Sequence, residues 1–210
     1  MVSGFPAFAP ALASGNTGFR PEYFGELAAL EGGSFWFRAR NDLIAWACRR
    51  YFPSMSRLLE IGCGTGYVLA KLAEEFPSVQ LTGSEVYCDG LSYARNRVPR
   101  AELVQMDARE TPYEDHFDVV GAFDVLEHID DDTRVLAEIH RALHPGGGLL
   151  LTVPQHKWLW SRQDELACHV RRYTGVQVGE QAPMGRAPTS LPNVLRLPPA
   201  AGHVAIPQAP

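Results

Sequence analysis

No run of basic residues in this 210-residue chain is longer than a pair, and its 24 acids outnumber its 19 Lys and Arg. A formal charge of -5 argues against a chain that coats nucleic acid. The four cysteines, Cys48, Cys63, Cys88 and Cys168, form no CxxC pair and no zinc-ligand spacing. They read as reduced thiols of a cytosolic protein. The apolar opening MVSGFPAFAPALASG lacks a positive leader and is interrupted by Pro6 and Pro10, which argues against a cleaved signal peptide. No apolar stretch approaches the roughly 18 residues that a membrane-spanning helix needs. Internal repeats are also missing. A soluble, cytoplasmic protein with one hydrophobic core is therefore expected.

What is present is an alternation. Residues 1–20 read as a flexible or loosely docked arm. Helical spacing runs through RPEYFGELAAL and again through FWFRARNDLIAWACRRY, which Pro53 ends. RLLEI, VQLTGSE, AELVQMD, FDVVGAF and LLLTVP then read as five strands. YVLAKLAEEF, GLSYARNRV and the segment DDDTRVLAEIHRALHPGG supply intervening helices, the last stopped by its Pro-Gly pair. Strands alternating with helices imply an α/β fold, with a doubly wound, mostly parallel sheet covered on both faces. Residues 21–174 are taken as that domain. Residues 175–210 contain seven prolines and one acid, Glu180, and read as an irregular Pro-rich tail.

The stretch LLEIGCGTGY, residues 58–67, ends a strand in a glycine turn that opens a helix. Such a turn turns backbone amides outward and lets a ligand approach the main chain. Its spacing is GxGxG, whereas dinucleotide folds carry GxGxxG, which disfavours a nicotinamide-dependent dehydrogenase. Glu85 ends the second strand and is of the kind that accepts two hydrogen bonds from a ribose. Asp107 ends the third, where a carboxylate can accept from an exocyclic amine. Glu60 lies two residues before the first glycine.

The ordered set LLEIGCGTGY, LTGSE, VQMDA, FDVVGAFDVLEHI and LHPGGGLLLTVP resembles the class I S-adenosylmethionine-dependent methyltransferases. The likeness covers roughly Phe35 to Thr174. It implies a Rossmann-like fold and S-adenosyl-L-methionine as cofactor. It also implies that Glu60, Gly62, Cys63, Gly64 and Gly66 cradle the methionine end, and that Glu85 holds the ribose. Asp107 and Ala108 would meet the adenine, and Phe123 would give backbone contacts.

His128, after the fourth strand, is the candidate catalytic base. Asp124, Glu127 and His128 are too thin a match to assign a metal, and none is assigned. Arg171, Arg172 and Tyr173 in HVRRYT are candidates to grip an anionic substrate, and FWFRAR to form a lid. The DPPY or NPPY-type motif of enzymes that methylate base amino groups is missing. With the acidic charge, this points to a small-molecule or lipid-like acceptor, with no nucleic-acid partner and no integral membrane segment. Oligomeric state is left open. The resemblance stops near Thr174, before the two strands that normally complete the sheet. The change of composition there reads as a frameshifted or truncated reading of a longer gene. Two expectations follow: LLLTVP becomes an exposed apolar edge, and the alternative to an active enzyme is a catalytically impaired remnant that serves as a binding or interaction protein.

Overall fold

A computed structural model describes residues 1–14 and 20–174; the Pro-rich stretch 175–210 lies outside the described residues. Helices α1 (Tyr23–Leu30) and α2 (Phe35–Tyr51) precede the alternation β1 (Arg57–Ile61), α3 (Tyr67–Glu75), β2 (Gln80–Glu85), α4 (Cys88–Arg97), β3 (Glu102–Gln105), β4 (Phe117–Phe123), α5 (Asp132–Ala142) and β5 (Leu143–Thr152), then a short α6 (Arg162–Leu166). The sheet is parallel throughout, in the order β3-β2-β1-β4-β5.

β1 is central and reads as a nearly unbroken apolar run because both its faces are covered. Successive side chains alternate between faces. Leu58 joins Ile44, Leu69, Leu72 and Leu91 under α2, α3 and α4, while Leu59 joins Val120, Leu136 and Ile139 under α5. Strand order reverses between β1 and β4, so a crevice opens beyond Ile61 and Phe123, the position where open α/β sheets bind ligands.

The structure departs from the sequence reading in three places. Residues 1–14 of the expected arm are docked along β3. The Gln105 amide donates to the Pro6 carbonyl and the Phe8 amide to the Gln105 carbonyl, both at 2.8 Å. The Gln105 side chain, fully buried, accepts from the Ala9 amide and donates to the Ala9 and Val86 carbonyls. Phe5 is buried beneath the guanidinium of Arg95. The arm thus satisfies backbone that would otherwise be an open edge.

Second, α5 ends at Ala142, before the Pro-Gly pair expected to stop it. Leu143 already pairs with Phe117, and the register then jumps to Val119 opposite Gly148. His144 to Gly147 form a bulge in β5. A Cβ on Gly147 would sit 2.9–3.0 Å from the carbonyl oxygens of Phe117, Asp118 and His144, so only glycine fits there. Third, the apolar side chains of β5 are covered: Leu150 and Leu151 are buried, on opposite core faces. Among the described residues the outer backbone edge of β5 pairs with no strand.

Candidate functional site

The crevice is a cleft of about 450 Å³. Of the residues nominated from sequence, Gly62, Gly64, Glu85, Asp107, Ala108 and His128 line it together. Glu60, Cys63, Gly66 and Phe123 lie behind its wall.

The glycine turn is held from two sides. Gly62 has φ +66°, and a Cβ there would come within 2.5 Å of Val125 Cγ2 on the loop after β4. Gly66, at φ +75°, lets α3 start against α4, since a Cβ would meet Ala94 at 2.8 Å. Its role is helix packing. The Cys63 amide donates to the Ser84 carbonyl at 2.9 Å and its thiol is buried in the core. Burial, with Glu60 and Glu85 nearby, holds that thiol well above its usual pKa.

Glu85 Oε2 accepts from the Gly64 amide at 3.1 Å, and Oε1 from the Val86 amide at 2.8 Å. Asp107 is clasped by Arg109, whose Nε lies 3.0 Å from both carboxylate oxygens and Nη2 2.7 Å from one. Burial pushes the Asp107 carboxyl upward, but those bonds outweigh it and hold it below the usual range. Glu60 is only 2% exposed, and its Oε2 has no hydrogen-bond partner among the described residues. Burial pushes its carboxyl up to about 8, against the pull of Arg40 and with help from Glu85 and Glu31. The Phe123 carbonyl accepts from Arg40 Nη2 at 3.0 Å, and Arg40 also pairs with Asp124 at 2.7 Å. Burial, then His169, lower the His128 pKa to about 4.

Several residues escaped the sequence reading. Glu31, at the end of α1, accepts from Thr65 Oγ1 at 2.7 and 2.8 Å and from Arg97 Nη1 at 2.6 Å. This network pins α1 over the glycine turn, so that Phe24 and Leu27 become cleft wall. Its members are 32 to 66 residues apart, and no local pattern announces them. Arg109 was within reach, two residues after Asp107. The HVRRYT segment does not offer free cations. Arg172 is bidentate to Asp164 at 2.7 and 2.8 Å, Arg171 Nη1 lies 2.7 Å from Asp132, and the Tyr173 hydroxyl donates to Asp132 at 2.8 Å. The bonds to Asp132 fasten the segment after β5 to the start of α5, and those to Asp164 tie it to α6. In FWFRAR, Phe35 is exposed, Trp36 stacks edge-on to Phe37, and none of the three lines the cleft.

A parallel sheet reversing at a glycine turn, with acids at the ends of β2 and β3 on one cleft wall, is the arrangement in which open α/β domains hold nucleosides. Comparison with known proteins makes the class specific. The methyltransferase domain family matches residues 59–151. Trans-aconitate 2-methyltransferase of Azoarcus sp. is 30% identical over 119 residues, covering 57% of this chain and 46% of that protein. The dTDP-3-amino-3,6-dideoxy-alpha-D-glucopyranose N,N-dimethyltransferase of Streptomyces fradiae is 33% identical over 138 residues, covering 62% and 53%. Among solved structures, SAM-bound CalS10, an amino pentose methyltransferase from Micromonospora echinaspora, superposes with a TM-score of 0.53 at 30% identity, covering 65% of this chain and 57% of that one. Residues 59–151 thus match a methyltransferase domain, and the chain shares the Rossmann-like α/β fold of the SAM-bound methyltransferase on which it superposes. It spans about half the length of the curated relatives it matches. No helix among the described residues is long and apolar enough to cross a membrane.

Proposed function

We propose that this chain binds S-adenosylmethionine in the cleft and promotes methyl transfer to a small polar acceptor. The observation that carries the reading is the convergence of Gly62, Gly64, Glu85, Asp107 and Ala108 on one cleft where strand order reverses. The fit to the cofactor is supported by Glu60, a buried carboxylate with one unmatched oxygen behind the glycine turn, which suits a ligand bearing an ammonium group. When bound, the cofactor supplies an electrophilic methyl group on a sulfonium.

The residues then divide the work. Glu85 accepts from the ribose hydroxyls, and Asp107 with Ala108 meets the adenine edge. Glu60 faces the ammonium, while Phe24 and Leu27, held down through Glu31, exclude water from one side. Holding two reactants in line is worth roughly 7 to 11 kcal/mol in favourable cases. A His128 imidazole with a pKa near 4 is neutral at pH 7 and a weak proton acceptor. This favours alignment as the main source of rate. The acidic chain and relatives named for trans-aconitate and for a dTDP-linked amino sugar support a small-molecule acceptor.

Calorimetric titration with S-adenosylhomocysteine tests the binding step. One-to-one binding that weakens at least tenfold in Glu85→Ala and in Asp107→Ala is expected. Unchanged affinity in both variants overturns the reading. Transfer of a labelled methyl group to a panel of carboxylic acids and amino sugars then tests the acceptor class.

A further inference from the structure

The loop after β4 holds a second buried carboxylate. Glu127 is 1% exposed, and its Oε2 has no hydrogen-bond partner among the described residues. A carboxylate withdrawn from water with an unmatched oxygen is costly unless a cation faces it. Arg40, whose charge reaches it, is already bonded to Asp124 and to the Phe123 carbonyl.

The Glu127 main chain also recruits a neighbour. Its carbonyl accepts from the Val170 amide at 2.8 Å, which draws the segment after α6 alongside the loop. The ring of His169 comes to rest 4.8 Å from that of His128, edge to face. One donor atom from each of Glu127, His128 and His169 lies within 4.8 Å of the other two. Tetrahedral ligands at about 2.0–2.2 Å from one ion stand about 3.3–3.6 Å apart. Side-chain shifts of about an ångström close the set.

His169 is already oriented for such a role. Its Nδ1 lies 2.9 Å from Asp164 Oδ1, which leaves Nε2 as the ligating nitrogen. Asp164 is itself fixed by Arg172 and by the Ser161 amide. A carboxylate behind a histidine is the arrangement that sets tautomer and ring direction in metal sites.

We propose that Glu127, His128 and His169 form a binding site for a divalent transition-metal ion of the zinc class at the edge of the cleft. Asp124, considered from sequence beside Glu127 and His128, is excluded because Arg40 and the Thr152 hydroxyl engage it. Two imidazoles and one carboxylate favour zinc, cobalt, manganese or iron over magnesium or calcium. Three protein donors leave coordination positions open for water or for an oxygen or nitrogen of a second ligand. His128 lines the cleft, so those positions lie at its edge. The site stands on this geometry and does not depend on methyl transfer.

The test uses the full chain, stripped with a chelator and titrated with Zn²⁺ by calorimetry at neutral pH. Saturable one-to-one binding and a raised melting temperature are expected. Glu127→Gln and His169→Gln should each weaken binding at least about 10- to 100-fold, the cost of losing even a group that orients a ligand. With Co²⁺ as probe, the wild-type chain should give weak visible bands of nitrogen and oxygen ligation. An intense near-ultraviolet thiolate band would assign the metal to a cysteine and overturn the site. Failure of the wild-type chain to bind saturably, or unchanged affinity in a folded His169→Gln, also overturns it. The wild-type spectrum decides even where a variant fails to fold. Titrating the same samples with S-adenosylhomocysteine shows whether the cofactor reading stands or falls separately.

Discussion

Glu85 Oε2 accepts a hydrogen bond from the Gly64 amide at 3.1 Å, so the acid that ends β2 also fixes the glycine turn that ends β1. The two are 21 residues apart in the chain and meet because their strands are parallel neighbours. The cleft is therefore a set of mutually braced parts, and substitutions behind its wall should be felt inside it.

Gly66→Ala is expected to destabilise the fold by about 2–5 kcal/mol. Left-handed backbone costs an L-residue roughly 1–2 kcal/mol, and overpacking against Ala94 about 1–3 more. Urea denaturation monitored by circular dichroism measures it.

Glu60→Gln should stabilise the unliganded protein in a pH-dependent way. Burial raises the folded-state pKa of Glu60 to about 8 from its ordinary value of 4.5. Below 4.5 the carboxyl is protonated in both states and costs nothing. Between 4.5 and 8 the folded state retains a proton that the unfolded state has lost, and wild-type stability falls by up to about 1.4 kcal/mol per pH unit. Above 8 the difference is constant. Glutamine cannot ionise, so the melting temperature of the variant should pull ahead of wild type as pH rises from 5 to 8. Its affinity for S-adenosylhomocysteine should drop.

Arg97→Met removes the cation from the Glu31 carboxylate and a donor from the Ala28 carbonyl. A loss on the order of 2 kcal/mol is expected, as for other hydrogen bonds to charged groups. Hydrogen exchange should quicken in residues 23–30 while β1 and β4 remain protected. Uniform exchange across the molecule would refute α1 as a separately latched wall.

Gln105→Leu leaves the Ala9 amide and the carbonyls of Ala9 and Val86 without their present partners. About 1–3 kcal/mol is at stake for each group left unsatisfied in the interior. Limited proteolysis should then cleave within residues 1–14 faster than in wild type.

Much of this was legible in the sequence. β1, β4 and α2 were read to the residue because each is a strong local signal: short, mostly apolar strands and seventeen residues of helical spacing. The end of α5 was not. Pro145 and Gly146 are general stop signals, but Leu143 left the helix earlier to pair with Phe117, a contact that exists only once the sheet is assembled. Gly62, Gly64, Glu85, Asp107 and Ala108 could be picked out because parallel strands present their ends at one rim. Arg40 with Asp124, Glu31 with Thr65 and Arg97, and His169 with His128 could not. Each group is drawn together by tertiary packing across tens of residues. The cations of HVRRYT misled for the same reason, since the carboxylates that engage Arg172 and Arg171 lie eight and 39 residues upstream.

The arm along β3 does more than shield backbone, for Leu12 reaches the cleft wall. Edge protection and ligand occupancy thus hang on the same few hydrogen bonds at Gln105. A bulky fusion at the amino terminus would pry both open at once, whereas a filled cleft should make the preparation less prone to aggregate.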